Sequence, residues 1–455
     1  VHTVDTHTGF ALQRPCRLRA GLVQDAEPER TRVARACERP LVLALAILFH
    51  DLGKGLGGDH SQRGVELVRA YAARLGLDPG DAADVEWMVK DHLVMSLMSQ
   101  RRDLEDEAMI REFAATARTV ERLEMLYVLT YVDMASVSAE NWTQWKAGLL
   151  FLLTDKARAT LRGEGPAALD DTEHAKSLTA RRERLAAAVT DLLREEARKA
   201  PASDEASLSL GRRAAELSAA FAGGAPERYL AVVRSADAAR HLKLWLSAKE
   251  SGFAAELVHA PTGGSVLTLV ASDQPGLLAL FSAALAASGI DVLAAEVNSF
   301  DDGMAVDLFS VREPGGGAVD RGRWELARAD LSRLLNGAES PSALVQRKLR
   351  RATWAQSTAP AVATKVRIDN LSSLRCTVVD VSAQDRPGLL HAIAQALHAA
   401  EVSIELARVA TEGNKAIDAF YLRDLRHDGA KLTDPARLVE LEAAVRAAID
   451  SLPLA

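Results

Sequence analysis

The sequence predicts a multidomain protein, an all-α helical bundle followed by two copies of a small α+β module. Three observations predict it. Apolar residues recur at helical spacing through residues 1–165. From "PERYLAVVRS" onward the texture changes to β-rich runs alternating with alanine-rich helical ones. One segment of this second half is then repeated further along the chain. A length of 455 residues agrees with two to four domains at roughly 150 residues each.

The helical part is read from four segments. "RPLVLALAILFHDLG" is an apolar run that stops at glycines, and "SQRGVELVRAYAARLGL" keeps helical spacing up to Gly76. "TVERLEMLYVLTYVDMASV" and "WKAGLLFLLTDKARATLR" continue the pattern. Residues 166–225 are rich in Ala, Arg and Glu and read as solvated helices, part of a connector extending to residue 260. The two modules are expected at 261–345 and 372–455, separated by "LSRLLNGAES" and "KLRRATWAQSTAPAVAT". In each, a strand runs into an Asp-x-Pro-Gly-Leu-Leu turn, beginning at Asp273 and at Asp385. The proline is expected near the first position of a helix, where its missing N–H costs nothing. A second strand, a hairpin turn at Gly303 or Gly413 and a third strand follow, so helices should pack on one face of a sheet. The last module has little room for a final strand after "AAVRAAIDSLPLA". It is expected to be truncated or completed from elsewhere, for instance by "PERYLAVV".

Composition narrows the function. Net charge is −7 and no basic stretch is interleaved with aromatics, which argues against nucleic-acid binding. Cys16, Cys37 and Cys376 are far apart, offer no metal-ligand spacing and no disulfide framework, and suit a reducing cytoplasm. No apolar run reaches membrane-spanning length, and "VHTVDTHTGF" lacks the layout of a signal peptide, so a cytoplasmic protein with no membrane partner is expected. The chain opens on Val1 inside what reads as a working motif, and a missing upstream segment is expected.

Chemistry concentrates near the start. Five of the 11 histidines are His2, His7, His50, His60 and His92, accompanied by Asp51, Asp59, Asp91 and later Asp133. Imidazole and carboxylate together suit Mg²⁺, Mn²⁺, Fe or Zn²⁺, and no thiolate is placed for a structural zinc site. In "LFHDLGKGLGGDH" the adjacent His50 and Asp51 sit at a helix end, where both side chains can be directed at one ion. The glycines that follow let backbone and substrate approach closely.

His7, His50-Asp51 and Asp133, in that order, resemble the HD superfamily of metal-dependent phosphohydrolases, whose fold is an all-helical bundle. "TVDTHT", "LFHDLGKGLGGDHSQRG", "VKDHLVMSLMSQRRDLED", "LYVLTYVDMASVSAENWTQWKAGLL", "PERYL" and "DRPGLLHAIAQAL" together are similar to the bifunctional uridylyltransferase/uridylyl-removing enzymes of the PII nitrogen-signalling cascade. The likeness runs the length of the chain and is weakest over about 155–225. It implies His7, His50, Asp51 and Asp133 as ligands of a divalent metal, Mg²⁺ or Mn²⁺ above all. It implies catalytic roles for Lys54 as a phosphate-facing cation and for His60 and His92 as phosphate contacts or ligands of a second ion. His2 is the weakest candidate; "QRRD" (100–103) could offer guanidinium groups to a phosphate, and Trp142 and Trp145 are expected to pack into the bundle.

The reaction so implied is hydrolysis of UMP from a tyrosine of the uridylylated PII protein. The repeated modules resemble ACT domains, βαββαβ units that bind amino acids, and in this family they sense glutamine. That implies ligand residues at Asp273, Gly276, Asp385 and Gly388. Family members also carry a nucleotidyltransferase domain ahead of the HD domain; none precedes Val1, so only removal of UMP and sensing are expected. Two other readings stay open. One is an HD phosphohydrolase acting on another nucleotide such as guanosine tetraphosphate, and the other is a non-catalytic amino-acid-sensing regulator.

Overall fold

A computed structural model describes residues 3–23, 27–102, 104, 106–137, 142, 144–163, 171–201, 203–260, 263–349, 362–371, 373, 375–412 and 414–452. Two compact units are present, Val1–Lys176 and Ser177–Ala455. The first contains α1 (Val4–Arg19), α2 (Pro28–Ala36), α3 (Pro40–Phe49), α4 (His60–Ala72), α5 (Pro79–Asp91), α6 (Val94–Arg101), α7 (Glu107–Ala117), α8 (Val120–Val137) and α9 (Gln144–Leu161). Pro40 opens α3 at its first position, and the helix buries Val42, Leu43, Leu45, Ala46, Ile47 and Phe49. A short helix that is apolar nearly all round belongs in an interior. It touches α1, α4, α5 and α8.

Side-chain caps fix where the neighbouring helices begin. Asp59 accepts hydrogen bonds from the Ser61 and Gln62 amides at the start of α4, and Asp78 does the same for Gly80 and Asp81 at α5. Gly76, with φ of +69°, closes the turn after α4, as the sequence suggested.

Helix α10 (Asp171–Lys199) leads into the second unit, followed by α11 (Glu205–Gly224), α12 (Glu227–Val232) and α13 (Ser235–Ser251). Then come β1 (Phe253–His259), β2 (Ser265–Ser272), α14 (Leu277–Ala287), β3 (Asp291–Glu296), β4 (Met304–Arg312), α15 (Arg321–Leu335) and α16 (Pro341–Leu349). The second module is β5 (Lys365–Asp369), β6 (Thr377–Gln384), α17 (Leu389–Ala399), β7 (Val402–Glu412), β8 (Lys415–Asp424) and α18 (Pro435–Asp450). All eight strands form one antiparallel sheet in the order β1-β2-β4-β3-β7-β8-β6-β5. The modules join where β3 pairs with β7, with Ala295 opposite Val409 and Glu296 opposite Arg408.

Strand alternation sorts the two faces. Leu267, Leu269, Phe309, Val379 and Phe420 face a core made with α14 to α18. Val270, Met304 and Val306 point the other way and pack on Phe221, Tyr229 and Trp245. Residues 166–225 are thus more than solvated helices, because Val189, Leu193, Leu217 and Phe221 join this second core.

The two-module α+β architecture is as expected, with a correction to strand order. Each module runs ββαββα rather than βαββαβ, the edge strand coming first. An edge strand offers the same ladder of N–H and C=O groups whichever end of the module delivers it. β5 therefore fills the place left without a C-terminal strand, and β1 does so for the first module. Both begin ahead of the expected module starts at 261 and 372. "PERYLAVV" supplies helix α12 and no strand. The turn prolines precede their helices, and the N-caps are Gly276 and Gly388, left-handed at φ of +85° and +83°. Gly303 turns the first hairpin at φ of +77°, while Gly413 lies outside the described residues. No helix among the described residues is long and apolar enough to cross a membrane.

Candidate metal centre

Four elements converge on the end of α3. His7 lies in the second turn of α1, His50 caps α3 with Asp51 following it, and Asp133 lies near the end of α8. One donor atom from each of His7, His50, Asp51 and Asp133 can be chosen so that all four lie within 4.8 Å of one another. His7 Nε2 stands 3.3 Å from His50 Nε2, 3.1 Å from Asp133 Oδ1 and 3.6 Å from Asp51 Oδ2. His50 Nε2 is 3.5 Å from Asp51 Oδ2 and 3.6 Å from Asp133 Oδ1. His50 and Asp51 are 0% and 2% exposed, a burial that charged and imidazole groups tolerate only when partnered.

A second set shares Asp51. Asp51, His60 and His92 also offer donor atoms within 4.8 Å of one another, and His92 Nε2 is 3.9 Å from Asp51 Oδ1. His60 opens α4 and His92 caps α5, so both come from helix ends, as His50 does. His50 Nδ1 and His92 Nδ1 each donate to the carbonyl three residues back, Ile47 and Val89, at 2.7 Å. That bond fixes the tautomer and leaves Nε2 as the free lone pair, the arrangement metal-binding histidines require. His60 Nε2 and His92 Nε2 are buried without a hydrogen-bond partner. The donor set and these two orphaned nitrogens fit a divalent cation.

Electrostatics follow from the crowding. Burial opposes charge on both His50 and Asp133, but the attraction between imidazole and carboxylate, 3.6 Å apart, wins, raising the His50 pKa and holding the Asp133 carboxyl far below the usual range. Burial dominates at His92 and lowers its pKa. Lys54, half exposed, donates to Asp51 Oδ2 at 2.6 Å.

Among the glycines of this loop, Gly53 permits a close backbone approach of the kind expected. A Cβ on Gly53 would lie 2.1 Å from the His60 carbonyl oxygen, so only glycine lets the loop fold back and deliver His60. Gly64 similarly lets α4 approach, since a Cβ there would be 2.7 Å from Val89 Cγ1. Asp59 caps α4, and neither it nor Asp91 belongs to the two donor sets found among the described residues. Trp142 packs inward, its indole donating to Glu27 at 3.3 Å and lying 4.8 Å from the Arg30 guanidinium. His2, Asp103 and the side chains of Arg101 and Trp145 lie outside the described residues.

The four turn residues of the modules are not equivalent. Asp385 and Gly388 line a cavity of about 190 Å³ between the modules, with Ser282, Ala286 and Asp291 from the first module and Asp418 from the second. At the matching turn, Asp273 is exposed, and Gly276 lies under the ring of His398, whose Nδ1 would be 2.9 Å from an added Cβ. Sequence reasoning missed Asp291, Asp418 and His398, which lie outside the repeated turn; the signal available was the repeat itself, in which His398 stands where the first copy has Ala286.

Comparison with known proteins bears on both regions. An HD domain model matches residues 28–126, and an ACT domain model matches residues 377–449. A bifunctional uridylyltransferase/uridylyl-removing enzyme of Gluconobacter oxydans is 34% identical over 100% of this chain and 46% of the relative. Its counterpart from Rhodospirillum rubrum is 32% identical over 99% of the chain and 45% of the relative. That of Azospirillum brasilense is 33% identical over 97% and 45%. No solved structure matches. The chain is thus similar along its entire length to these enzymes, spans about half of theirs, and carries an HD domain and an ACT domain.

Proposed function

We propose that this chain is an HD-type hydrolase that removes UMP from the uridylylated PII signalling protein under the control of glutamine. The observation that carries the hydrolytic reading is the convergence of His7, His50, Asp51 and Asp133, with His50 Nε2 freed by the Ile47 carbonyl. The substrate is taken from the relatives, which are named for uridylyl removal.

His7, His50, Asp51 and Asp133 would hold a divalent cation, Mg²⁺ or Mn²⁺, and Asp51, His60 and His92 a second. Such an ion polarises phosphoryl oxygens and makes water acidic enough to serve as a nucleophile near neutral pH. Lys54 would meet the phosphoryl oxygens as negative charge grows on them, exchanging its contact with Asp51 for one with substrate. The departing tyrosine phenolate has a pKa of about 10 and leaves without a dedicated general acid. Glutamine would act through the ACT-like modules, at the cavity beside Asp385 and Gly388.

The test is release of UMP from uridylylated PII by the metal-loaded chain, run beside release of pyrophosphate from guanosine tetraphosphate. Metal-dependent UMP release with no pyrophosphate supports the assignment. The reverse pattern would transfer the site to the alarmone. Loss of both, with glutamine binding intact, would leave only an amino-acid-sensing regulator.

A further inference from the structure

His7 is aimed differently from His50 and His92. Those two fix their own rings, each through a hydrogen bond from Nδ1 to a carbonyl of its own helix. Among the described residues nothing hydrogen-bonds to His7 Nδ1, while its Nε2 meets His50, Asp51 and Asp133. Where this ring points therefore depends on how α1 lies against α8, the helix that carries Asp133. Helix α1 is itself interrupted. Pro15 stands inside it, with no N–H to give the Ala11 carbonyl and a ring that crowds that carbonyl. The turns that carry His7 are thus only weakly coupled to the rest of their helix.

Arg14 supplies the missing hold. It is the last residue of α1 before the proline, about two turns beyond His7, and it reaches the end of α8. Its Nε donates to Ser136 Oγ at 2.9 Å and its Nη2 to the Ala135 carbonyl at 2.5 Å. Helix α8 ends at Val137, so the Ala135 carbonyl lies in its last turn, where no further amide of the helix can donate to it. A guanidinium suits this place, because the C-terminal carbonyls of a helix gather partial negative charge. Asp133 belongs to the same stretch of α8 as both acceptors. Helix α1 therefore meets the end of α8 twice, through His7 at the centre and through the paired hydrogen bonds of Arg14.

We infer that Arg14 is a positioning residue of the candidate metal centre: it pins the His7-bearing half of α1 to the end of α8 and so holds His7 Nε2 at Asp133. The inference rests on the reading of His7, His50, Asp51 and Asp133 as the ligands of a divalent ion. Arg14 belongs to neither donor set and acts through His7. His60 and His92 come from the ends of α4 and α5, and neither hydrogen bond of Arg14 reaches those helices. Loss of the guanidinium should therefore loosen the His7 set and spare the set of Asp51, His60 and His92.

Mn²⁺ binding to the metal-stripped full chain is the test, because it reads the ion and not the reaction. Arg14→Ala should weaken the ion that His7→Ala weakens by at least about tenfold, and leave the ion lost in His60→Ala within about twofold of wild type. If Arg14 acts through His7, adding Arg14→Ala to His7→Ala should weaken that site no further. Arg14→Lys keeps the charge without the fork of donors and should fall between wild type and Arg14→Ala. Ser136→Ala removes one acceptor and serves if Arg14→Ala does not fold, with a loss of about threefold expected at the same site. Equal weakening of both ions, or a further loss in the His7→Ala background, would make Arg14 a general structural residue and overturn the inference. Unchanged affinity in Arg14→Ala would overturn it too, as would unchanged affinity in Ser136→Ala where that variant stands in. Should the wild type bind a single ion, Arg14→Ala must weaken it and His60→Ala must spare it, or the inference falls. If the wild type binds no Mn²⁺, the reading of the centre itself fails and takes this inference with it.

Discussion

His50 and His92 show how one local device can build a candidate metal centre twice. Each ends a helix, each turns its Nδ1 to the carbonyl three residues back, and each thereby presents Nε2 to Asp51. Their ring centroids are 5.3 Å apart, with His7 and His60 completing a row of four imidazoles. Asp51 is shared by both donor sets, and with Asp133 it supplies the negative charge that four neutral imidazoles lack. His60→Ala should lower bound Mn²⁺ from two ions to one per chain, measured by elemental analysis after desalting, while His7→Ala should weaken the other site. Lys54 belongs to the same scale. Its ammonium holds no cation-ligand position, so Lys54→Ala should leave metal content unchanged and lower kcat by about 10- to 100-fold.

At the scale of elements, the loop between α3 and α4 sets the spacing between the donor sets. Gly53→Ala would force its Cβ against the His60 carbonyl, so either the loop or α4 must shift. We expect a loss of about 2 kcal/mol in stability and weakened binding of the second ion, checked by denaturant titration and by metal affinity. In the second unit, His241 of α13 bridges α12 and β2, with Nδ1 2.8 Å from the Tyr229 hydroxyl and Nε2 3.4 Å from Thr268 Oγ1. Burial depresses its pKa from 6.5 to about 4. The unfolded chain therefore binds the extra proton between these values, and folding stability is full above about pH 6.5 and falls as pH drops toward 4, by up to about 3 kcal/mol. Hydrogen exchange of α13 amides should accelerate over that window, and His241→Asn should flatten the dependence.

On the scale of the whole molecule, the division into a helical unit and a sheet-bearing unit was legible because the hydrophobic period changes from helical to alternating. Of the candidate metal centre, His50-Asp51 was legible as a local motif; that His7 and Asp133 come beside it was suggested by resemblance, since nothing local joins α1 to α8. Less was readable wherever partners are distant in sequence. The joining of both modules into one sheet depends on β3 meeting β7, where buried Glu296 faces Arg408 across the seam. Arg228, in the "PERYL" stretch expected as a strand, instead donates from α12 to the carbonyls of Val297 and Glu405 on the two sides of that seam. A six-residue helix between Pro226 and Val233 has too few turns for its periodicity to be read.

The central claim is that the His7–His50–Asp51–Asp133 centre hydrolyses a nucleotidyl ester with a bound divalent ion. The direct measurement is UMP release from uridylylated PII by metal-stripped chain titrated with Mn²⁺, for the wild type and for Asp51→Asn. Because Asp51 belongs to both donor sets, its replacement should remove at least about 100-fold of the activity and most of the bound metal, with glutamine binding unchanged. Metal-independent UMP release, or an Asp51→Asn chain as active as the wild type, would contradict the account.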